Sequence, residues 1–249
     1  MNFIVSIITP SYNSSKTITE TIDSVINQSY QNWELIIVDD NSTDNTLSII
    51  NGFIEKDSRI KLLELNQNRG AGYCRNKAIE VAVGRFIAFL DSDDTWHPLK
   101  LEKQVKFMID NKYALTYTAY NKVDQNLNVT KNITPPYRVN YSSLIKSNVI
   151  GCLTAMYDTE LIGKVYMPLI RKRQDMALWL IILKKIDYAW CLNETLASYR
   201  EGHDSLSSNK FRVIFSQWKF YRCYLQLNFF KTLWYFSFYI IKAIKKHST

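Results

Sequence analysis

A chain of 249 residues, 47% hydrophobic and 22% charged, has a globular composition, long enough for one large α/β domain or a core with an appendage. Its four cysteines (Cys74, Cys152, Cys191, Cys223) form no CxxC pair and no metal-ligand spacing, so a disulfide framework and a thiolate metal site are set aside in favour of reduced thiols in a cytosolic protein. The net charge of +8 lies beyond Asp204, where eight Lys and Arg meet no acid, leaving 23 basic and 23 acidic residues in the rest of the chain.

Met1 to Thr9 has no basic leader and breaks at Pro10, so Phe3–Ile8 reads as a first strand rather than a signal peptide. After the loop Thr9–Asn13, Ile18, Ile22, Val25 and Ile26 recur at helical spacing, with Ser14 or Ser15 as cap. Glu34–Val38 is a second strand ending in Asp39–Asp44. Asn41, Ser42 and Asp44 are cap candidates for the helix carrying Leu47, Ile49, Ile50 and Phe53. Ile60–Leu65 is a third strand. The loop Asn66–Gly72 leads into a helix with Arg75, Ala78 and Ile79, and Phe86–Leu90 is a fourth strand. Repeated βα units of this kind give a mostly parallel, Rossmann-like α/β sheet flanked by helices.

Beyond Trp96 the pattern is mixed: a helix over Leu99–Asn111, a strand over Leu115–Ala119, a turn-rich passage to Pro135-Pro136, and a helix over Arg171–Lys185. One domain is expected over 1–210, divided near 98, followed by a basic aromatic tail over 211–249. In the tail, Lys231, Lys242, Lys245 and Lys246 fall in one helical sector with Tyr235 and Tyr239 among them. Leu233, Phe236, Ile240, Ile241 and Ile244 lie opposite. Such an amphipathic helix, too interrupted to span a bilayer, suits an anionic membrane surface. Nucleic acid is the weaker reading, because the basic residues sit in one terminal segment.

Three strand ends carry polar loops: Pro10–Asn13, Asp39–Asp44 and Asp91–Asp94. Ligands of open α/β sheets bind outside such ends. Asp91, Asp93 and Asp94 crowd three carboxylates into four positions, and Asp91 and Asp93 share a face if the chain is extended. Hard oxygen donors of this kind suit Mg²⁺ or Mn²⁺ completed by a substrate phosphate. Tyr12 beside Asp39 and Asp40 has the equipment to stack a nucleobase and accept its ring N–H. No GxGxxG follows the first strand and no P-loop is present, so a diphosphate must be met by a cation and by Arg69 or Arg75.

Val5–Asn13, Glu34–Asp44, Asn68-Arg-Gly, Ala71–Asn76 and Phe89–Asp94 together resemble the family 2 inverting glycosyltransferases, strongly over about residues 3–110 and more loosely to about 210. The resemblance implies a GT-A type fold, with a nucleotide-sugar half over about 1–98 and an acceptor half over about 99–210. It implies that Tyr12, beside Pro10, stacks the base, that Asp40 binds uracil with Asp39 close by, and that Asp91-Ser-Asp93 is a DxD motif. There Asp93 is the direct metal ligand, Asp91 lies near the ribose, and Asp94 is a third acid for donor or acceptor. Asp175, in Arg173-Gln-Asp-Met-Ala-Leu-Trp179, matches the general base, with Gln174 where the family has a glutamate. Trp96 and Trp179 are candidate sugar platforms or, equally, core residues, His97 is structural, and His203, in a loop, is a lesser candidate for a donor or acceptor contact.

The implied reaction transfers a hexose, with UDP-glucose or UDP-galactose as donor, to an undecaprenyl-diphosphate-linked saccharide for a bacterial surface polysaccharide. The enzyme would sit on the cytoplasmic face of the membrane. Two rivals stand beside it. Asp91-Ser-Asp-Asp-Thr95 also fits the DxDxT of haloacid-dehalogenase-type phosphatases, with Asp91 as nucleophile, and a non-catalytic sugar-nucleotide sensor would not require Asp175.

Overall fold

The computed structural model describes residues 3–201 and 210–247. The first half runs β1 (Val5–Ser11), α1 (Ile18–Ile26), β2 (Trp33–Asp39), α2 (Thr46–Ile54), β3 (Ile60–Glu64), α3 (Ala71–Val81) and β4 (Phe86–Phe89). β1 lies between β2 and β4, parallel to both, and β3 is parallel on the outside. Alternation along these strands divides the core in two. Ile8, Ile36, Val38, Ile87 and Phe89 face Cys74, Ala78 and Ile79 of α3. Val5, Ile7, Leu35, Ile37, Phe86 and Ala88 face Ile18, Ile22 and Val25 of α1 and Ile50 of α2. With both faces covered, near-continuous hydrophobic strands are required.

The second half contains β5 (Thr95–Trp96), α4 (Lys100–Asn111), β6 (Leu115–Val123), β7 (Val129–Ile133), β8 (Arg138–Val139) and α5 (Tyr141–Leu144). A 3₁₀ turn (Cys152–Thr154), β9 (Met156–Asp158), α6 (Thr159–Ile162), α7 (Gln174–Ile182) and β10 (Ala189–Arg200) follow. One mixed sheet results, in the order β3-β2-β1-β4-β9-β6-β10-β5, with β7 on β6 and β8 on β10. β9 is the seam, antiparallel to β4 on one side and β6 on the other.

Several expectations shift. β1 continues through Pro10 to Ser11, and α1 begins after Thr17 without a side-chain cap, because the Ser14 hydroxyl pairs with that of Ser11 at 2.7 Å. α7 is shorter than Arg171–Lys185, since Arg173 turns into a left-handed conformation at φ 66° and starts the helix afresh. β10 went unrecognised because two register shifts, around Thr195, break its alternation.

The tail folds as α8 (Lys210–Lys219), a π turn (Phe220–Tyr224) and α9 (Phe229–His247). Phe220 and Tyr221 are buried, and Tyr235 and Phe236 pack on the core beside α7. The Tyr239 hydroxyl accepts a hydrogen bond from Arg173 at 2.9 Å. The expected division of α9 is therefore corrected: Tyr235 and Tyr239 face the protein. The exposed stripe is apolar, with Phe230 80%, Leu233 50%, Trp234 61% and Ile241 50% accessible. Side chains from Lys242 onward lie outside the described residues. No helix among the described residues is long and apolar enough to cross a membrane.

Lys100 is fully buried on α4, its ammonium 2.7 Å from Gln104 Oε1 and 4.0 Å from the centre of the Trp96 ring. Burial pushes it from 10.5 down to about 7. An unfolded lysine keeps its proton to 10.5, so stability rises with pH between 7 and 10.5, and the full burial cost applies below 7. Lys100→Met should raise Tm near neutral pH by about 2–4 °C per kcal/mol relieved. The gain should shrink in melts at a pH near 10; an equal gain at both pH values would show that Lys100 does not titrate in this window.

Candidate active site

Because β1, β2 and β4 are parallel, their C-terminal ends meet on one edge, with Ser11 opposite Asp39. Pro10 is inside β1 opposite Val38, and Tyr12 stands just beyond it, 50% exposed with its ring open to the edge. Asp39 is buried and accepts from the Ser42 N–H (2.8 Å) and hydroxyl (2.6 Å). Asp40 accepts from the N–H groups of Arg69 (2.6 Å) and Gly70 (2.7 Å), one on each carboxylate oxygen. Gly70 holds φ 84°, the left-handed region that favours glycine, and so turns the loop into α3. In this state Asp40 is the anchor of the 68–70 loop.

Asp91 to Asp94 form a tight turn, the Asp94 N–H bonding to Asp91 O at 3.1 Å. The expectation that Asp91 and Asp93 share a face is corrected, because a turn sends the three acids to three environments. Asp91 pairs with the Arg75 guanidinium. Asp94 is 1% exposed; its Oδ1 accepts the Arg200 N–H at 3.0 Å, and its Oδ2 has no partner among the described residues. Asp93 opens outward and has no ion-pair partner among the described residues. Partial burial, then Asp91, push its carboxyl up to about 6. Burial, with Asp93 and Asp91 close by, also raises Asp94.

The turn is pinned through its backbone. Thr17 donates to Ser92 O (2.8 Å), Thr21 to Asp94 O (2.9 Å) and Arg200 Nε to Asp93 O (3.0 Å). Arg200 is itself held by Glu20 and by Gln125 O. Nothing in the spacing of residues flagged Arg200, which reaches the turn from β10 only through the sheet order.

α3 carries the other wall. Arg75 is buried and touches Gln174 Oε1 (3.4 Å) and Met167 Sδ (3.9 Å) besides Asp91. Burial opposes its charge, but Asp91, with Cys152 and Asp175 further off, more than offsets this and holds it above its ordinary value. Asn76 exchanges two hydrogen bonds with the Met167 backbone (2.7 and 2.8 Å). A Cβ on Gly72 would lie 2.8 Å from the end of the Gln174 side chain, so glycine leaves room for that amide in its present position against α3. This docking brings Asp175 to the site. Asn148, another residue without a sequence signal, donates to Asp175 Oδ2 at 2.8 Å.

A cleft of about 1460 Å³ joins these parts, lined by Arg75, Asp91, Asp94, Asn148, Asp175 and Tyr199 among others. Tyr12, Asp39, Asp40 and Asp93 do not line it and stand at the strand ends beside it. Trp96 (4% exposed, bonded to Leu153 O at 2.8 Å) and Trp179 (0%) are core residues, which removes both as sugar platforms. His97 Nδ1 accepts the Leu99 N–H at 3.2 Å at the start of α4, a structural role. His203 lies outside the described residues.

Among the described residues no three His, Cys, Asp or Glu side chains converge into a closed metal site. An ion shared with a diphosphate needs only one or two carboxylates. Asp93, raised by burial and by Asp91 beside it, and the second oxygen of Asp91 are a fitting donor set.

The family comparison settles the class. The model of "Glycosyl transferase family 2" matches residues 6–163. This chain belongs to that family. It is a glycosyltransferase of GT-A type, and the phosphatase reading falls: Asp91 follows β4, not the first strand, and is ion-paired to Arg75. The chain is 46% identical over 244 residues to the "Putative teichuronic acid biosynthesis glycosyltransferase TuaG" of Bacillus subtilis, covering 98% of this chain and 97% of that one. It is 41% identical over 248 residues to the "UDP-Glc:alpha-D-GlcNAc-diphosphoundecaprenol beta-1,3-glucosyltransferase WfgD" of Escherichia coli, covering 99% and 96%. S. aureus TarS 1–349 has the same fold: its UDP complex gives TM-score 0.68 at 25% identity, over 80% of this chain and 60% of that one. Its UDP-GlcNAc complex gives 0.72 at 22%, over 95% and 71%.

Asp91→Asn would leave the buried Arg75 without its nearest anion. Since Asp91 is about one-third open to solvent, the expected loss is about 2–3 kcal/mol, below that of a fully buried pair. Urea denaturation measures it; an unchanged midpoint would mean that Asp175 takes over as counter-ion.

Proposed function

We propose that this glycosyltransferase moves a hexose from UDP-glucose or UDP-galactose, with inversion, to a hydroxyl of an undecaprenyl-diphosphate-linked saccharide in the synthesis of a bacterial surface polysaccharide, O-antigen or capsule. The observation that carries this is the similarity to WfgD over nearly its whole length, acceptor half and tail included. The cleft supports it, because it joins Asp91 and Asp94 of the turn after β4 to Asp175 in one space.

In this reading residues 1–98 hold the donor, 99–210 the acceptor and 211–249 the membrane surface. Tyr12, flanked by Pro10, stacks the base, and Asp39 and Asp40 shape its pocket. Asp93, with Asp91, would hold Mn²⁺ or Mg²⁺, which as a Lewis acid offsets charge on the departing diphosphate. Arg75 orients Asp91 through their ion pair. Asn148 holds one oxygen of Asp175 and leaves the other for the acceptor hydroxyl. As that oxygen takes the proton, the acceptor oxygen bonds to the anomeric carbon from the face opposite the leaving group, and the bond to the diphosphate breaks. One displacement inverts the centre, so an α-linked donor yields a β-linked product. Asp94 Oδ2, buried and without a partner among the described residues, would accept from a donor or acceptor hydroxyl.

The exposed stripe Phe230, Leu233, Trp234 and Ile241 gives α9 a face for the membrane, on the inner side where nucleotide sugars are available.

Incubation with UDP-sugars, Mn²⁺ and a lipid-diphosphate GlcNAc or GalNAc acceptor tests the reading. Asp175→Asn should lower kcat by about 10²–10⁴ with UDP affinity retained, and Asp93→Ala should remove metal-dependent turnover; transfer that survives either change would refute the assigned roles. Replacing Phe230 and Trp234 by Ser should release the protein from anionic liposomes in flotation, and unchanged flotation would locate membrane binding elsewhere.

A further inference from the structure

We propose that Arg171, Lys172 and Arg173 form the seat for the diphosphate of the acceptor, between the base and the tail helix. This rests on the acceptor class proposed above and adds where its charged group is held. The three cations are consecutive, line the same cleft as Asp175, and end two residues before it. Elsewhere the well-placed arginines are neutralised: Arg75 by Asp91, Arg85 by Asp158 and Arg200 by Glu20. Neither Arg171 nor Lys172 has an ion-pair partner among the described residues. Uncompensated positive charge at the mouth of a cleft focuses an anion there.

The surroundings give that anion an orientation. Arg173 donates to the Tyr239 hydroxyl at 2.9 Å and lies 5.5 Å from the ring centre. Lys146 lies 4.7 Å from the centre of the Phe238 ring, two residues before the Asn148 that holds Asp175. Both loops that flank the base are thus fastened to α9, whose outer side carries the exposed apolar stripe. A molecule with a sugar, a diphosphate and a hydrocarbon chain in that order matches base, basic loop and apolar stripe in the same order. The donor diphosphate belongs to the other wall, beside Asp93 and Arg69.

The test compares two acceptors bearing the same GlcNAc or GalNAc unit, one on a short, water-soluble lipid diphosphate and one on a neutral alkyl glycoside, with UDP-sugar and Mn²⁺ and without vesicles. The doubly substituted Arg171→Gln, Lys172→Gln enzyme should show at least a tenfold higher KM for the diphosphate acceptor. Its KM for donor and its turnover of the neutral glycoside should be unchanged, which also shows that it is folded. Equal losses on both acceptors, or none on the diphosphate, would overturn the loop's role. So would a defect that appears only when anionic vesicles are added, since the loop would then be reading membrane head groups. A wild-type enzyme that uses the neutral glycoside as well as the diphosphate would overturn the acceptor class itself, and the loop's role with it.

Discussion

The contact between Arg75 and Asp91 is the constraint on which the site depends. A guanidinium buried under the strand ends is costly unless an anion lies against it, and Asp91 is that anion. The pair ties α3 to the turn after β4, and through Gln174 the same arginine reaches α7. One side chain therefore sets the relative positions of the donor-side acids and Asp175. Three α3 residues share the work: Gly72 by being small, Arg75 by charge, and Asn76 by pairing with the Met167 backbone. Their spacing places all three on one helical face.

Given that pair, the acids of the turn cannot be equivalent. Asp91 has its charge satisfied, Asp94 is driven into the protein against the Arg200 backbone, and Asp93 is left outward without an ion-pair partner among the described residues, its carboxyl raised by burial and by Asp91. The carbonyls of Ser92, Asp93 and Asp94 are engaged by Thr17, Arg200 and Thr21, and that of Asp91 by the Asp94 N–H, which holds the turn in this shape. A fixed turn with one outward acid is the electrostatic condition for recruiting a cation together with a phosphate.

The tail belongs to the same arrangement. α9 is tied by Tyr239 and Phe238 to Arg173 and Lys146, which lie close in sequence to Asp175 and Asn148. Its outer side leaves Phe230, Leu233, Trp234 and Ile241 open.

The first hundred residues were legible because strands buried on both faces must be nearly all apolar, and loops at their ends must hold the polar residues. That reasoning located Tyr12, Asp39, Asp40, Asp91, Asp93, Asp94 and, by likeness of motif, Asp175. It failed where burial does not repeat regularly. β10 is bulged, and Tyr235 and Tyr239, expected among the lysines of α9, are turned toward the core by their partners there. The tryptophans looked like sugar platforms because an aromatic ring reads alike in a core and in a cleft. By itself the sequence determined the fold class and the set of reactive residue types, since periodicity and strand-end chemistry are local. Only the tertiary structure decided which acid pairs with Arg75, which points outward, and that Arg200 and Asn148 hold the site, because those contacts join residues brought together solely by sheet order and helix docking.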